Sequence, residues 1–145
     1  MIKIKYTHDD RALELISQKA VLDRKLLREI TDYIRFTILK LTAEGRGYDG
    51  KAFRPYSTQY AIFRKKHGRP ISKVDLNFTG KMLASFATTI LRENFARLGF
   101  KSAREAKKML GNIDRGRNPI GISREMKSEI FKIVEDHIKK MLDQG

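Results

Sequence analysis

The sequence predicts an α+β domain, with a long N-terminal helix and a C-terminal helix packed on a small antiparallel sheet that contains a β-hairpin. Three observations lead there. Leu27, Ile30, Ile34, Ile38 and Leu41 recur at helical spacing, and so do Met126, Ile130, Val134, His137 and Met141. Residues 84–91 and Phe95–Phe100 are rich in apolar and β-branched side chains and are separated by a polar turn at 92–94. Ile2, Ile4 and Tyr6 alternate with Lys3 and Lys5, the period of a half-buried strand.

Taken in order, the first strand is followed by Thr7 and Asp10, a helix-start signal. The stripe then implies one long helix over residues 10–44, or two joined near residues 21–23. Gly45 and Gly47 stop it. Residues 45–56 hold three glycines and Pro55, so a loop is expected. Ser57 caps a short helix through Lys66, with Tyr60 and Phe63 on one side. Gly68 and Pro70 end it, and residues 68–78 are extended. Thr79 and Gly80 open a short helical turn that carries Met82 and Leu83. After the hairpin, Ser102 and Glu105 form a capping box for a helix to about Leu110, and residues 111–119 are a loop. Ser123 caps the last helix. Its Ile133 and Ile138 flank the buried stripe, while Lys127, Lys132, Glu135 and Lys139 point outward. One domain, 1–145, is expected at this length, with roughly 70% of the unfolded surface buried.

The chain has no cysteine, which excludes disulfides, thiolate metal sites and a cysteine nucleophile, and fits a reducing cytoplasm. The N-terminal residues do not resemble a secretory signal. No run approaches the roughly 20 apolar residues that span a bilayer, so a soluble protein with no membrane partner is expected. The net charge is +14, of which residues 45–73 contribute +7 and residues 99–132 contribute +5. Charge concentrated in this way calls for an acidic partner, either nucleic acid or an acidic protein surface.

Catalysis needs convergent polar groups. His8, His67 and His137 lack metal-ligand spacing, and His137 lies on a helix stripe as a core-edge residue. Gly45, Gly47 and Gly50 are wrongly spaced for a dinucleotide fingerprint, and no buried strand precedes them. Asp49 beside glycine reads as a turn residue. Asp75, Glu93 and Glu105 are the carboxylates a metal-dependent nuclease would need to gather, and they read instead as solvated or capping groups. No enzyme, metal or cofactor is expected. Basic and aromatic residues do interleave at Lys51, Phe53, Arg54, Tyr56, Tyr60, Phe63, Arg64, Lys65, Lys66 and Arg69. Such a run can hold phosphates and stack bases. Equally, Tyr60 and Phe63 can pack inward and leave Arg64, Lys65 and Lys66 solvated.

Gly50, Phe53, Pro55 and Ser57, then Tyr60 and Lys65, then Leu76, Thr79, Gly80 and Met82 stand in an ordered phrase ahead of the hairpin. Arg117, Pro119, Gly121 and Ser123 form a second phrase ahead of the last helix. In order and spacing these phrases resemble the phage virion-morphogenesis, or tail-completion, family. The resemblance covers residues 45–125, with a matching kind of amphipathic helix before it. The family often has tryptophan where this chain has Phe53. The resemblance implies a structural protein of a tailed bacteriophage or prophage, acting in tail completion or head–tail joining. Its expected partners are other tail or neck proteins and copies of itself in a ring. It would be located in the virion, and in the host cytoplasm during assembly.

As structure, Pro55 sets the backbone before the Ser57 cap, Phe53 anchors the loop in the core, and Gly80 and Gly121 permit tight turns. The loops 45–56 and 111–119 are the expected contacts with neighbouring subunits, with Arg115 and Arg117 meeting acidic surfaces. The alternative is a basic nucleic-acid-binding protein with Lys65, Lys66 and Arg69 on phosphates.

Overall fold

Asp23 starts the first long helix: its carboxylate accepts from the Leu26 amide at 2.8 Å, satisfying a donor that the helix leaves unpaired. The structure, a computed structural model, describes residues 3–5, 23–77 and 80–144. In chain order the elements are β1 (Lys3–Lys5), α1 (Arg24–Ala43), α2 (Thr58–Lys66), α3 (Lys81–Ala84), β2 (Phe86–Leu91), β3 (Phe95–Phe100), α4 (Ala103–Asp114) and α5 (Arg124–Asp143). The architecture is α+β, as the sequence predicts. Within the stretch expected to be helical the described helix starts at the Asp23 cap; residues 10–22, the Thr7–Asp10 start signal and Thr79 lie outside the described residues. No described helix is long and apolar enough to cross a membrane.

β3 is the central strand of a three-stranded sheet ordered β1-β3-β2, antiparallel throughout. Lys3 pairs with Arg97 and Lys5 with Phe95, so the short N-terminal strand closes one edge. Phe86 pairs with Phe100, and the register shifts between Thr88 and Ile90, a bulge that bends β2. Arg92 N donates to Phe95 O at 2.8 Å and closes the hairpin turn where it was expected. β2 begins at Phe86 rather than at residue 84, because the preceding residues form α3.

Leu26, Ile30, Ile34 and Ile38, spaced four apart on α1, meet Phe86 and Leu98 of the sheet and Met126 and Val134 of α5. Each is at most 4% exposed. Burying side chains of this size stabilises by about 1.5–3 kcal/mol each, before the entropy of ordering the chain is subtracted. Arg35 Nε donates to the Phe86 carbonyl at 2.8 Å and ties α1 to β2. A second cluster joins Phe53, Val74, Leu76, Met82 and Met109, and Phe100 and Ile120 pack against both. On α5 the expected stripe is buried at Met126 and Val134 and fades at Met141, which is 41% exposed.

α1, α2 and α4 end in the same way. Gly45, Gly68 and Gly116 take positive φ, and the following Arg46, Arg69 and Arg117 donate their amides back to the carbonyls of Leu41, Arg64 and Asn112 at 2.8, 2.9 and 3.0 Å. α4 therefore runs through Gly111 to Asp114, four residues beyond the expected stop at Leu110. A glycine inside a helix costs only about 1 kcal/mol relative to alanine, and burial of Met109 and Ile113 on the second cluster outweighs it.

Phe86, 2% exposed at the junction of both helices and the sheet, sets the stability of the first cluster. Phe86→Ala should destabilise the protein by about 3–5 kcal/mol in urea unfolding, whereas Phe36→Ala, at a side chain 67% exposed, should fall within about 0.5 kcal/mol of the parent.

Candidate functional site

Ser57 caps α2 through its hydroxyl, which accepts from the Tyr60 amide at 3.2 Å. This fixes the helix so that Arg64, not Tyr60 or Phe63, is its buried residue. Of the two sequence readings of this run, the one with inward-packed Tyr60 and Phe63 and a solvated Arg64 is thus reversed, although Lys65 and Lys66 are exposed as it expected. Arg64 is 1% exposed, while Tyr60 and Phe63 are 38% and 45% exposed. The reason is what waits beneath the helix. Arg64 Nε donates to the Pro70 carbonyl at 3.0 Å, its Nη2 donates to Asp75 Oδ1 at 3.1 Å, and its guanidinium lies 4.7 Å from the centre of the Tyr56 ring. A buried guanidinium needs such partners, and a planar, five-donor group can use all of them at once.

Asp75 also accepts from Asn77 N at 3.0 Å. That turn holds Leu76 at φ 56°, the one described non-glycine residue with positive φ. The Leu76 amide donates to the Tyr56 hydroxyl at 3.1 Å, and its side chain is 6% exposed in the second core cluster. The strain of that backbone is thus held by Asp75 on one side and Tyr56 on the other.

Arg117 approaches Tyr56 from the other phrase of the sequence. Its Nε and Nη2 donate to the carbonyls of Arg54 and Pro55, both at 2.8 Å, and its guanidinium lies 5.0 Å from the Tyr56 ring centre. Arg117 is 7% exposed, so its expected role as an open partner contact is corrected: Gly116 turns the chain back at the end of α4 and sends the arginine under residues 54–55. Burial lowers its pKa, Tyr56 opposes that shift, and Arg115 and Arg54 add to it.

The two loops expected to contact neighbours also pack on each other. A Cβ at Gly47 would lie 2.6 Å from the Asn118 carbonyl, and one at Gly121 would lie 2.7 Å from the Tyr48 ring. Pro119 is fully buried between them, and Phe53 is 7% exposed in the core, the anchor it was expected to be. Gly50 turns in open space at φ 81°, and Gly80 opens α3 at φ 81°.

Between α2, Leu76, α3 and α4 lies a cleft of about 550 Å³. Tyr56, Ser57, Tyr60, Leu76, Gly80 and Met82 form one side, and Lys107, Lys108, Gly111, Asn112, Arg115 and Arg117 the other. Lys65, Lys66 and Arg69 are exposed but do not line it. The sequence reading missed Lys107, Lys108 and Asn112. Their spacing with Gly111 and Arg115 marks one helical face, a signal hidden once Gly111 was taken as a stop.

The three carboxylates weighed as a metal site each have their own cation: Asp75 pairs with Arg64, Glu93 with Arg24 at 3.2 Å, and Glu105 with Lys108 at 3.1 Å. Among the described residues, no group of three or more histidines and carboxylates could hold a metal. His137 is a helix-packing residue, with Nε2 3.6 Å from the Asp23 carboxylate that caps α1.

Arg64→Ala should destabilise by up to about 3–5 kcal/mol, the range for removing one partner of a buried ion pair, and Arg64→Lys should fail to restore more than part of it, because one ammonium cannot replace the fork. Urea unfolding of the two variants measures this.

Burial raises the Tyr56 pKa above the ordinary tyrosine value of 10.0, against the lowering effects of Arg64 and the Leu76 hydrogen bond. Neutral Tyr56 therefore favours the folded state fully below pH 10.0, and that contribution is lost as pH rises through the raised value. In an alkaline absorbance titration, one of the five tyrosines should ionise after the others, and Tyr56→Phe should remove that late step.

No known protein family, curated protein or solved structure matches this chain. Its function must be argued from the chemistry of the cleft and from the phrases that build it.

Proposed function

We propose that this chain is a structural assembly protein of a tailed bacteriophage or prophage, acting in tail completion or head–tail joining. One observation carries the reading. Ser57, Tyr60, Leu76, Gly80, Met82 and Arg117, which the resemblance to the virion-morphogenesis family singled out, are scattered over sixty residues of sequence and yet line a single cleft. Each of these residues has an evident architectural role there: a cap, a wall, a floor or a turn. A phrase whose residues build a shaped, cationic recess suits a protein that docks onto others.

The helices flanking the recess also carry exposed apolar side chains, Ile62 on α2 at 54% and Leu110 on α4 at 59%. Apolar contacts ringed by charge are the ordinary make-up of a protein interface. Partners would be tail or neck proteins and further copies of this chain, which close into a ring if the contact is head-to-tail. Such a protein works in the virion and, during assembly, in the host cytoplasm.

A nucleic-acid-binding role is the second reading, favoured by the exposed Lys65, Lys66 and Arg69 at the end of α2. It requires DNA affinity that falls steeply with salt.

Purified chain mixed with phage tails and heads made without it should co-sediment with one of the two and restore infectious particles. Failure to bind either would end the assembly reading. DNA binding that persists at physiological salt without particle binding would put the second reading in its place.

A further inference from the structure

The described residues around the cleft leave its charge unbalanced. Among them Lys107, Lys108, Arg115 and Arg117 line it and no carboxylate does. Lys108 is paired with Glu105 at 3.1 Å, but among the described residues no carboxylate lies within ion-pair distance of Arg117. Arg117, 7% exposed, meets the carbonyls of Arg54 and Pro55 and the Tyr56 ring among the described residues. A guanidinium withdrawn from water without a counter-ion is costly, and an incoming anion relieves that cost.

We infer that this cleft is a docking site for an acidic peptide segment of a partner protein, with carboxylates on the exposed Arg115 and Lys107, beside the buried charge of Arg117, and an apolar side chain over Leu76 and Met82. The partner class rests on the assembly reading above; the ligand chemistry rests on the cleft itself. Two features favour a peptide over single-stranded nucleic acid. Base binding would need open aromatic faces, but two guanidiniums already lie over the Tyr56 ring, at 4.7 and 5.0 Å, and Tyr60 is stacked with Phe63 at 6.0 Å. The floor is also apolar, Leu76 and Met82 being members of the second core cluster. A second copy of this chain is a poor occupant of this cleft, whatever contacts copies make elsewhere, because its sequence holds no acidic run longer than the pairs Asp9–Asp10 and Glu135–Asp136.

The test uses a fluorescein-labelled peptide of alternating aspartate and leucine, with a lysine–leucine peptide and a labelled oligothymidine as comparisons, read by anisotropy. Two double variants of equal charge change are compared after thermal unfolding has shown both to be folded. Lys107→Glu with Arg115→Glu alters the cleft rim, whereas Lys127→Glu with Lys139→Glu alters the outward face of α5, both positions being exposed.

The acidic peptide should bind the parent, lose at least about tenfold in affinity in the rim variant and change less than about twofold in the α5 variant. Equal losses in both variants would show non-specific charge attraction and overturn the inference. So would the absence of peptide binding, or displacement of the peptide by oligothymidine that itself loses affinity in the rim variant. Co-sedimentation with particles separates the two levels. Parent and rim variant binding particles equally would remove the cleft and keep the assembly role, and a parent that binds no particle would remove the role whatever the peptide does.

Discussion

A guanidinium leaves water only where its charge and its N–H groups are met by other atoms, and Arg64 depends on three stretches of chain to meet that condition. The Pro70 carbonyl, the Asp75 carboxylate and the Tyr56 ring come from different segments around α2, and none would have reason to converge without the arginine between them. Through Asp75 the interaction sets the turn at Leu76, and through Tyr56 it reaches Arg117 and the segment beyond α4. The cleft walls are therefore held by one polar hub rather than by separate local turns. The second core cluster supplies the apolar side of the same unit, with Leu76 and Met82 facing inward where the chain passes beneath the hub.

The hub has a counterpart in the close contact of the two glycine-containing loops. The Gly47 backbone lies against the Asn118 carbonyl, and Gly121 lies under the Tyr48 ring, with Pro119 buried nearby. Close contacts of this kind leave no room for a side chain, so each glycine is required by its neighbour as much as by its own turn. Loops fixed to one another in this way are consistent with the proposed docking at the cleft rim rather than at the loop tips.

Much of the fold was legible because its signals are local. The i, i+4 stripe of α1, the serine caps of α2, α4 and α5, and the polar turn of the hairpin each act over a few residues. The inward role of Phe53 was also foreseen, since a phenyl ring, unlike its loop neighbours Tyr48 and Tyr56, has no polar group to keep in water. What was not legible depends on distance in sequence. Nothing near Arg64 announces that Asp75 will receive it, so a lysine- and arginine-rich run read as solvated. Nothing near Arg117 announces that the carbonyls of Arg54 and Pro55, more than sixty residues earlier, will take its donors. Gly111 misled for a different reason: a glycine costs a helix little when the flanking side chains are buried.

The first core cluster draws on residues from Leu26 to Val134, and its two long helices are separated by most of the chain. A growing polypeptide leaves the ribosome in order, so the apolar stripe of α1 emerges long before Met126 and Val134 exist to cover it. The sheet residues Phe86 and Leu98 offer partial shelter midway, but closure waits for α5. Biogenesis of this protein thus includes an interval in which Leu26, Ile30, Ile34 and Ile38 lack the cover that Met126 and Val134 give them in the finished fold, the stage at which exposed apolar surface favours association between chains.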